Sequence, residues 1–135
     1  MNRAPLVALA FLFAGGAPAL ADDYAAISGT AMAITGDVSF DDFSLVFENG
    51  ETLVFEDLVA DSFEVGGETV GASVFSLAEA ADPVLLNGNT LCGGEAVTYV
   101  GSWSGSMEGT TIIAFFSTQD EPSSDAEMCA SYTYE

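Results

Sequence analysis

Chemistry in this sequence has to come from carboxylates, hydroxyls and two cysteines. The chain holds 21 Asp and Glu against a single Lys or Arg and no His. The one basic side chain is Arg3, and every acidic residue lies beyond Ala21. Past that point a Ser or Cys nucleophile has neither an imidazole nor an amine to serve as its base. A zinc or copper site lacks histidine and has too few cysteines. There is no Asp-Thr/Ser-Gly to mark an aspartic dyad, no Gly-rich phosphate loop and no lysine to complete one.

What remains is chemistry that carboxylates do unaided. A pair of them would suffice for glycoside hydrolysis, but 21 candidates stand here with nothing to single two out. Hard cations want oxygen ligands, so two turns are calcium candidates: Asp37, Asp41 and Asp42 on one, Asp120, Glu121 and Asp125 on another. Neither follows a calcium-loop spacing, and the plain reading is solvated turn carboxylates. Tyr99, Trp103, Tyr132 and Tyr134 are the corresponding aromatic candidates. They would either line a ligand-binding face or close one end of a β-core with their polar tips at the rim.

The charge balance narrows the partners. Nucleic-acid binding is excluded in practice, because its affinity comes largely from Lys and Arg on phosphates. Anionic membrane surfaces are disfavoured for the same reason. Beyond Ala21 no side-chain salt bridge can form, so a buried carboxylate needs neutral donors or must protonate. Mutual repulsion predicts that salt or divalent cations stabilise the fold. The partners left are a basic protein, a polycationic ligand or Ca2+. Solubility in a salty habitat is the plain alternative.

The elements that must position these residues read as strands. Residues 1–21 carry Arg3, then LVALAFLFAGG, then Ala19-Leu20-Ala21. That is the pattern of a cleavable signal helix, leaving residues 22–135 as a single β domain in a periplasm or outside the cell. No later run reaches the roughly 18 apolar residues of a membrane span. Phe43 to Leu58 places Asn49-Gly50 between two apolar runs, a β-hairpin signal. A two-residue loop would mix apolar and polar side chains on both faces. A three-residue loop, a type I turn with Gly50 in the left-handed region, pairs Leu45 with Leu53, Phe47 with Glu51 and Phe43 with Phe55. Phe43, Leu45, Phe47, Leu53 and Phe55 then share a core face, which selects this register. A groove lined by Phe43 and Phe55 is the functional alternative.

Elsewhere the pattern predicts a first strand over Gly29–Thr35, a short strand through Phe63 and Val65, and another over Val70–Leu77. One helical turn is expected at Ala78–Ala81, stopped by Asp82-Pro83. Ala96–Trp103 should be a strand with Val97, Tyr99 and Trp103 on one face. Thr110–Ser117 is apolar on both sides and therefore central. Thr118–Asp125 reads as an exposed acidic loop, and Met128–Tyr134 as the closing strand. The sum is all-β, a small antiparallel barrel or sandwich of about seven to eight strands. Cys92 and Cys129 are expected to form a disulfide, the default for two cysteines in an exported chain.

AITGDV, the Phe-rich hairpin around ENG, DPVLLNGNTLCG and the final CASYTY together resemble a set of short, signal-bearing, uncharacterised proteins of alphaproteobacteria. The resemblance implies a periplasmic or secreted place and carries over no catalytic residue. Small periplasmic lysozyme-inhibitor barrels share the size and a disulfide, but their inhibitory-loop residues have no match here. The functional expectation is a non-enzymatic, exported acidic β-domain that binds or serves structure. An inhibitor of a basic protein such as a lysozyme, or a calcium-binding protein, is the alternative.

Overall fold

The computed structural model describes residues 21–135; the expected signal helix lies outside them. Eight strands form one antiparallel sheet: β1 Asp22–Tyr24, β2 Val38–Phe40, β3 Ser44–Val46, β4 Thr52–Val65, β5 Glu68–Ala81, β6 Val97–Ser104, β7 Thr111–Phe116 and β8 Ala130–Tyr134. Spatial order equals chain order, so the topology is an up-and-down meander. The sheet curls until its edges almost meet. Just past β1, Ala25 exchanges two backbone hydrogen bonds of 2.9 Å with Glu135, and Ala26 stands opposite Tyr134. A nearly closed barrel results, which leaves few strand edges unpaired.

The hairpin adopts the expected register. Leu45 faces Leu53, the Phe47 N–H donates to Glu51 O at 2.8 Å and the Phe55 N–H to Phe43 O at 2.8 Å. Gly50 has φ +93°, and its N–H closes the turn on Phe47 O. Leu45, Phe47, Leu53 and Phe55 are buried in the barrel, but Phe43 is 66 % exposed. The reason lies one turn earlier. Asp41 Oδ1 accepts the N–H groups of Phe43 (2.7 Å) and Ser44 (2.8 Å). This Asx turn reverses the chain directly after β2, so Phe43 is a turn residue and β3 starts behind it.

Three further expectations are corrected. Gly29–Ile34 is an α-helix, α1, and not a strand. Ser28 caps it, its Oγ accepting the Ala31 N–H at 3.1 Å, and Gly36 (φ +65°) ends it by donating to Ala31 O. With Ala31 and Thr35 buried four residues apart and both Met32 and Ala33 exposed between them, the segment follows a helical and not a two-residue period. The second hairpin arm does not stop at Leu58 but runs on to Val65, absorbing three register shifts between Phe55 and Ser62. Ala78–Ala81 stays extended as the end of β5.

Two cores sit on opposite faces of the sheet. The interior packs Phe40, Phe55 and Phe75 around a stacked Phe55–Phe75 pair (4.4 Å, 11°), with Phe47, Phe115 and Tyr132 further along. A smaller core lies outside: Phe63, Val74, Trp103, Ala114 and Phe116. Phe63 belongs to β4 yet stacks on Trp103 of β6 at 5.3 Å and meets Phe116 of β7 edge-on. The β4–β5 arm must therefore fold back over the barrel wall, the bend that its bulges supply. β7 is covered on both faces, as its sequence demands.

Candidate functional site

None of the 21 acidic residues is buried; Asp41 and Asp125 are half-buried and the others exposed. Those two are drawn in by backbone donors, Asp41 by the turn just described and Asp125 by the Gly66 N–H at 3.4 Å. Among the described residues there is no basic side chain, so no carboxylate is paired with a cationic one.

The sequence-derived calcium sets do not assemble. Asp37 precedes β2 while Asp41 and Asp42 follow it, which puts them at opposite ends of the strand. Asp37 Oδ1 accepts the Ala26 N–H at 2.9 Å. In the other set, Asp125 opens a short 3-10 turn, Asp125–Glu127, while Asp120 and Glu121 lie upstream in the exposed loop. Among the described residues no group of three or more acidic, Cys or His side chains is placed to hold a metal. The aromatic set divides as well. Tyr132 and Tyr134 point into the barrel, whereas Tyr99 and Trp103 belong to the outer core. Val97 also departs from the expected face and packs inside with Val100, a switch that accompanies the irregular β5–β6 register between Ser76 and Ala81.

Several tyrosines have roles inside the fold. Tyr134 is fully buried, its hydroxyl 2.7 Å from Thr35 Oγ1 at the end of the barrel that α1 covers. Burial pushes its phenol well above the ordinary range, against the lowering effect of the Thr35 bond. Burial raises Tyr132 likewise, and Tyr24 is raised by burial and then by the charge of Asp22. Among the described residues the buried Trp103 Nε1 donor has no hydrogen-bond partner. Cys92 and Cys129 are joined as a disulfide with Cα atoms 5.3 Å apart, tying the loop after β5 to the start of β8.

Several hollows mark the surface, one of them, beside Phe63, Glu64 and Glu121, of about 460 Å3, and two others border β1 to β3. At the barrel end away from α1, Asp22, Asp41 and Asp42 stand with Tyr24, Phe40 and Phe75 around a mouth of about 200 Å3. A larger groove, about 470 Å3, crosses the outer wall over β1, β2 and β3. The strand registers build it. Ala25 lies opposite Glu135, the β1–β2 register carries on to place Ala25 beside Asp37, and the β2–β3 register carries on to place Asp37 beside Glu48. Glu135, Ala25, Asp37 and Glu48 therefore form a row across four strands, all on the outward-facing set. Asp23, Ser39 and Val46 form the next row. Glu48 is held by the Asp37 N–H, which donates to its Oε1 at 2.9 Å. It can reach that position because residue 36 is glycine: a Cβ there would stand 2.6 Å from Glu48 Cβ.

Sequence reasoning named Asp37 but not Asp23, Glu48 or Glu135. Their meeting depends on three strand registers, and the β1–β8 closure is invisible in a linear chain. The one local cue was the alternation of DVSFDD, which already places Asp37 and Ser39 on the face opposite Val38 and Phe40.

The class defined by this geometry is a small, eight-stranded, up-and-down antiparallel sheet curled into a nearly closed barrel, with carboxylates over its surface and side chains filling its inside. Comparison of the chain with protein-family models, with curated proteins and with solved structures returns no match.

Proposed function

We propose that the mature chain is an exported, non-catalytic binding module that engages a basic partner, a cationic protein such as a lysozyme or a polycationic peptide, through its outer surface. The observation that carries this reading is the placement of the acidic residues: none is buried and none can be neutralised by a cationic side chain within residues 21–135. Such a surface raises the local concentration of cations and steers basic proteins toward encounter. The barrel interior supports the same view. Its centre is occupied by side chains such as Leu45, Leu53, Val100 and Ile113, all essentially inaccessible, so recognition falls to the outside. The Cys92–Cys129 bond is consistent with an oxidising compartment, where an exported module would work. Among the described residues no helix is long and apolar enough to cross a membrane.

The test is retention. Residues 22–135, immobilised, should hold back lysozyme from an equimolar mixture with an acidic protein of similar size and release it as salt rises. Equal passage of both proteins at low salt would refute the reading.

A further inference from the structure

We propose that the barrel mouth away from α1 binds a small neutral polyhydroxyl compound, a monosaccharide or a polyol of similar size. This goes beyond the reading of the chain as a binder of basic partners and does not depend on it.

The two ends of the barrel are finished differently. At one end α1 and the loop after β5 form a lid: Ala31 and Thr35 are fully buried, and Asn87 Nδ2 donates to Ala33 O at 2.9 Å. The other end opens as a hollow. In the middle of the barrel the inward residues of β5, β6 and β7 are apolar, among them Phe75, Val100 and Ile113. Continued toward the mouth with the two-residue period of a strand, the same inward set becomes Ser73 on β5, Ser102 and Ser104 on β6, and Thr111 on β7. The registers gather them, with Ser73 opposite Ser102 and Ser104 opposite Thr111. Tyr24 of β1, packed against the inner core, adds its phenol to the same place. Side chains that fill a small barrel are ordinarily apolar, so hydroxyls at these inward positions depart from the pattern that folds the rest of the chain.

The hydroxyls face usable space. Two adjoining hollows, about 200 Å3 and about 300 Å3, share Tyr24, Ser73 and Ser102, and the larger reaches the lower end of small-molecule sites. The Ser73 and Ser102 hydroxyls form no hydrogen bond with another described residue. They are not sealed off either, since Trp103 Nε1 is the one enclosed polar side-chain atom left unpaired among the described residues. The rings of Phe40 and Phe75, edge to face at 5.9 Å, supply the apolar part of the lining.

This lining discriminates between ligand classes. Serine, threonine and tyrosine hydroxyls donate and accept, whereas the carboxylates of Asp22, Asp41 and Asp42 at the rim only accept. A polyol answers both kinds of group: its hydroxyls donate to the rim and exchange hydrogen bonds in either direction with the serines, while its C–H face covers Phe40 and Phe75. An organic cation would suit the rim but offers no acceptor to the hydroxyl protons. An anion would meet three carboxylates with no cationic side chain among the described residues to offset them.

The experiment follows the amide spectrum of residues 22–135 during separate titrations with D-glucose, D-galactose and D-mannose. Choline serves as the organic cation and D-glucuronate as the anionic counterpart of glucose. The expected result is saturable shifts at millimolar concentration with at least one neutral sugar, centred on residues 22–24, 40–42, 73–75 and 102–104, and none there with choline or glucuronate. The double variant Ser73→Ala, Ser102→Ala should weaken that sugar about tenfold or more, as the loss of two hydrogen bonds requires. Ser39→Ala, on the outer face, should leave it unchanged. The wild-type titration stands whether or not a variant folds. Any one of four results would overturn the proposal: no neutral sugar shifting the mouth amides, shifts spread evenly over the chain, choline or glucuronate binding the mouth as tightly as the best sugar, or full affinity in the double serine variant. Lysozyme retention is a separate measurement, so the two readings fail separately.

Discussion

The hydroxyl of Tyr134 meets Thr35 Oγ1 at 2.7 Å, and Thr35 also donates toward Ala31 O and Gly36 O, so one buried pair ties β8 to the end of α1. Removing the hydroxyl in Tyr134→Phe should cost about 1 kcal/mol at neutral pH, the usual net value of such a bond. The pH dependence follows from the direction of the shift. The folded phenol is raised above its unfolded value near 10, so the folded state holds the proton more tightly. Its contribution is complete below about pH 10 and is lost as pH climbs toward the folded value. Denaturation midpoints should therefore fall above pH 10 in the wild type, and fall less in Tyr134→Phe. Tyr24 and Tyr132, shifted in the same direction, keep a residual slope in the variant. A stability gap that stayed constant from pH 7 to pH 11 would count against the assignment. None of this was visible in the sequence, which offered Tyr132 and Tyr134 as either ligand wall or core rim.

At the scale of elements, two glycines separate backbone strain from packing. Gly50 (φ +93°) faces open space, so Gly50→Ala should cost only the left-handed penalty, about 1–2 kcal/mol. Gly36 has the same requirement and in addition meets the Glu48 side chain, so Gly36→Ala should cost measurably more in a urea titration. Equal costs would mean that Glu48 gives way freely. Opening the 37-residue disulfide separation with Cys92→Ala, Cys129→Ala should lower stability by about 3–4 kcal/mol on the chain-entropy account. Local signals were legible where one residue decides the geometry. Asn49-Gly50 and the Leu45/Leu53 pattern fix the hairpin register without outside help. Helix α1 is ambiguous in the sequence because Met32 and Ile34 share a face in a strand as well, and six residues are too few for a helical period to stand out; the Ser28 cap and the Gly36 stop decide it. The unbroken length of β4 is hidden because Glu56, Asp57 and Asp61 interrupt the apolar alternation between Phe55 and Phe63; in the structure they are exposed residues of a bulged arm whose edge β3 does not cover beyond Val54.

On the scale of the whole molecule, acidic side chains cover the outside and cationic ones are missing from residues 21–135. Repulsion of this kind is relieved by counterions, so the thermal midpoint should rise as NaCl goes from about 10 mM to about 1 M, the range over which the screening length shrinks from about 30 Å to about 3 Å. A flat response would mean that the carboxylates lie too far apart to repel. The all-β class was legible from strand periodicity and turn residues, because each strand's alternation reports its own burial. The groove was not, because it is assembled from Asp23, Asp37, Glu48 and Glu135 by closure between the first and last strands. The most direct measurement is a calorimetric titration of residues 22–135 with lysozyme at low and at moderate ionic strength. Saturable binding at low ionic strength that weakens severalfold at the higher one is the expected result; no heat of binding at low ionic strength, or an affinity indifferent to salt, would contradict the assignment of this barrel to basic partners.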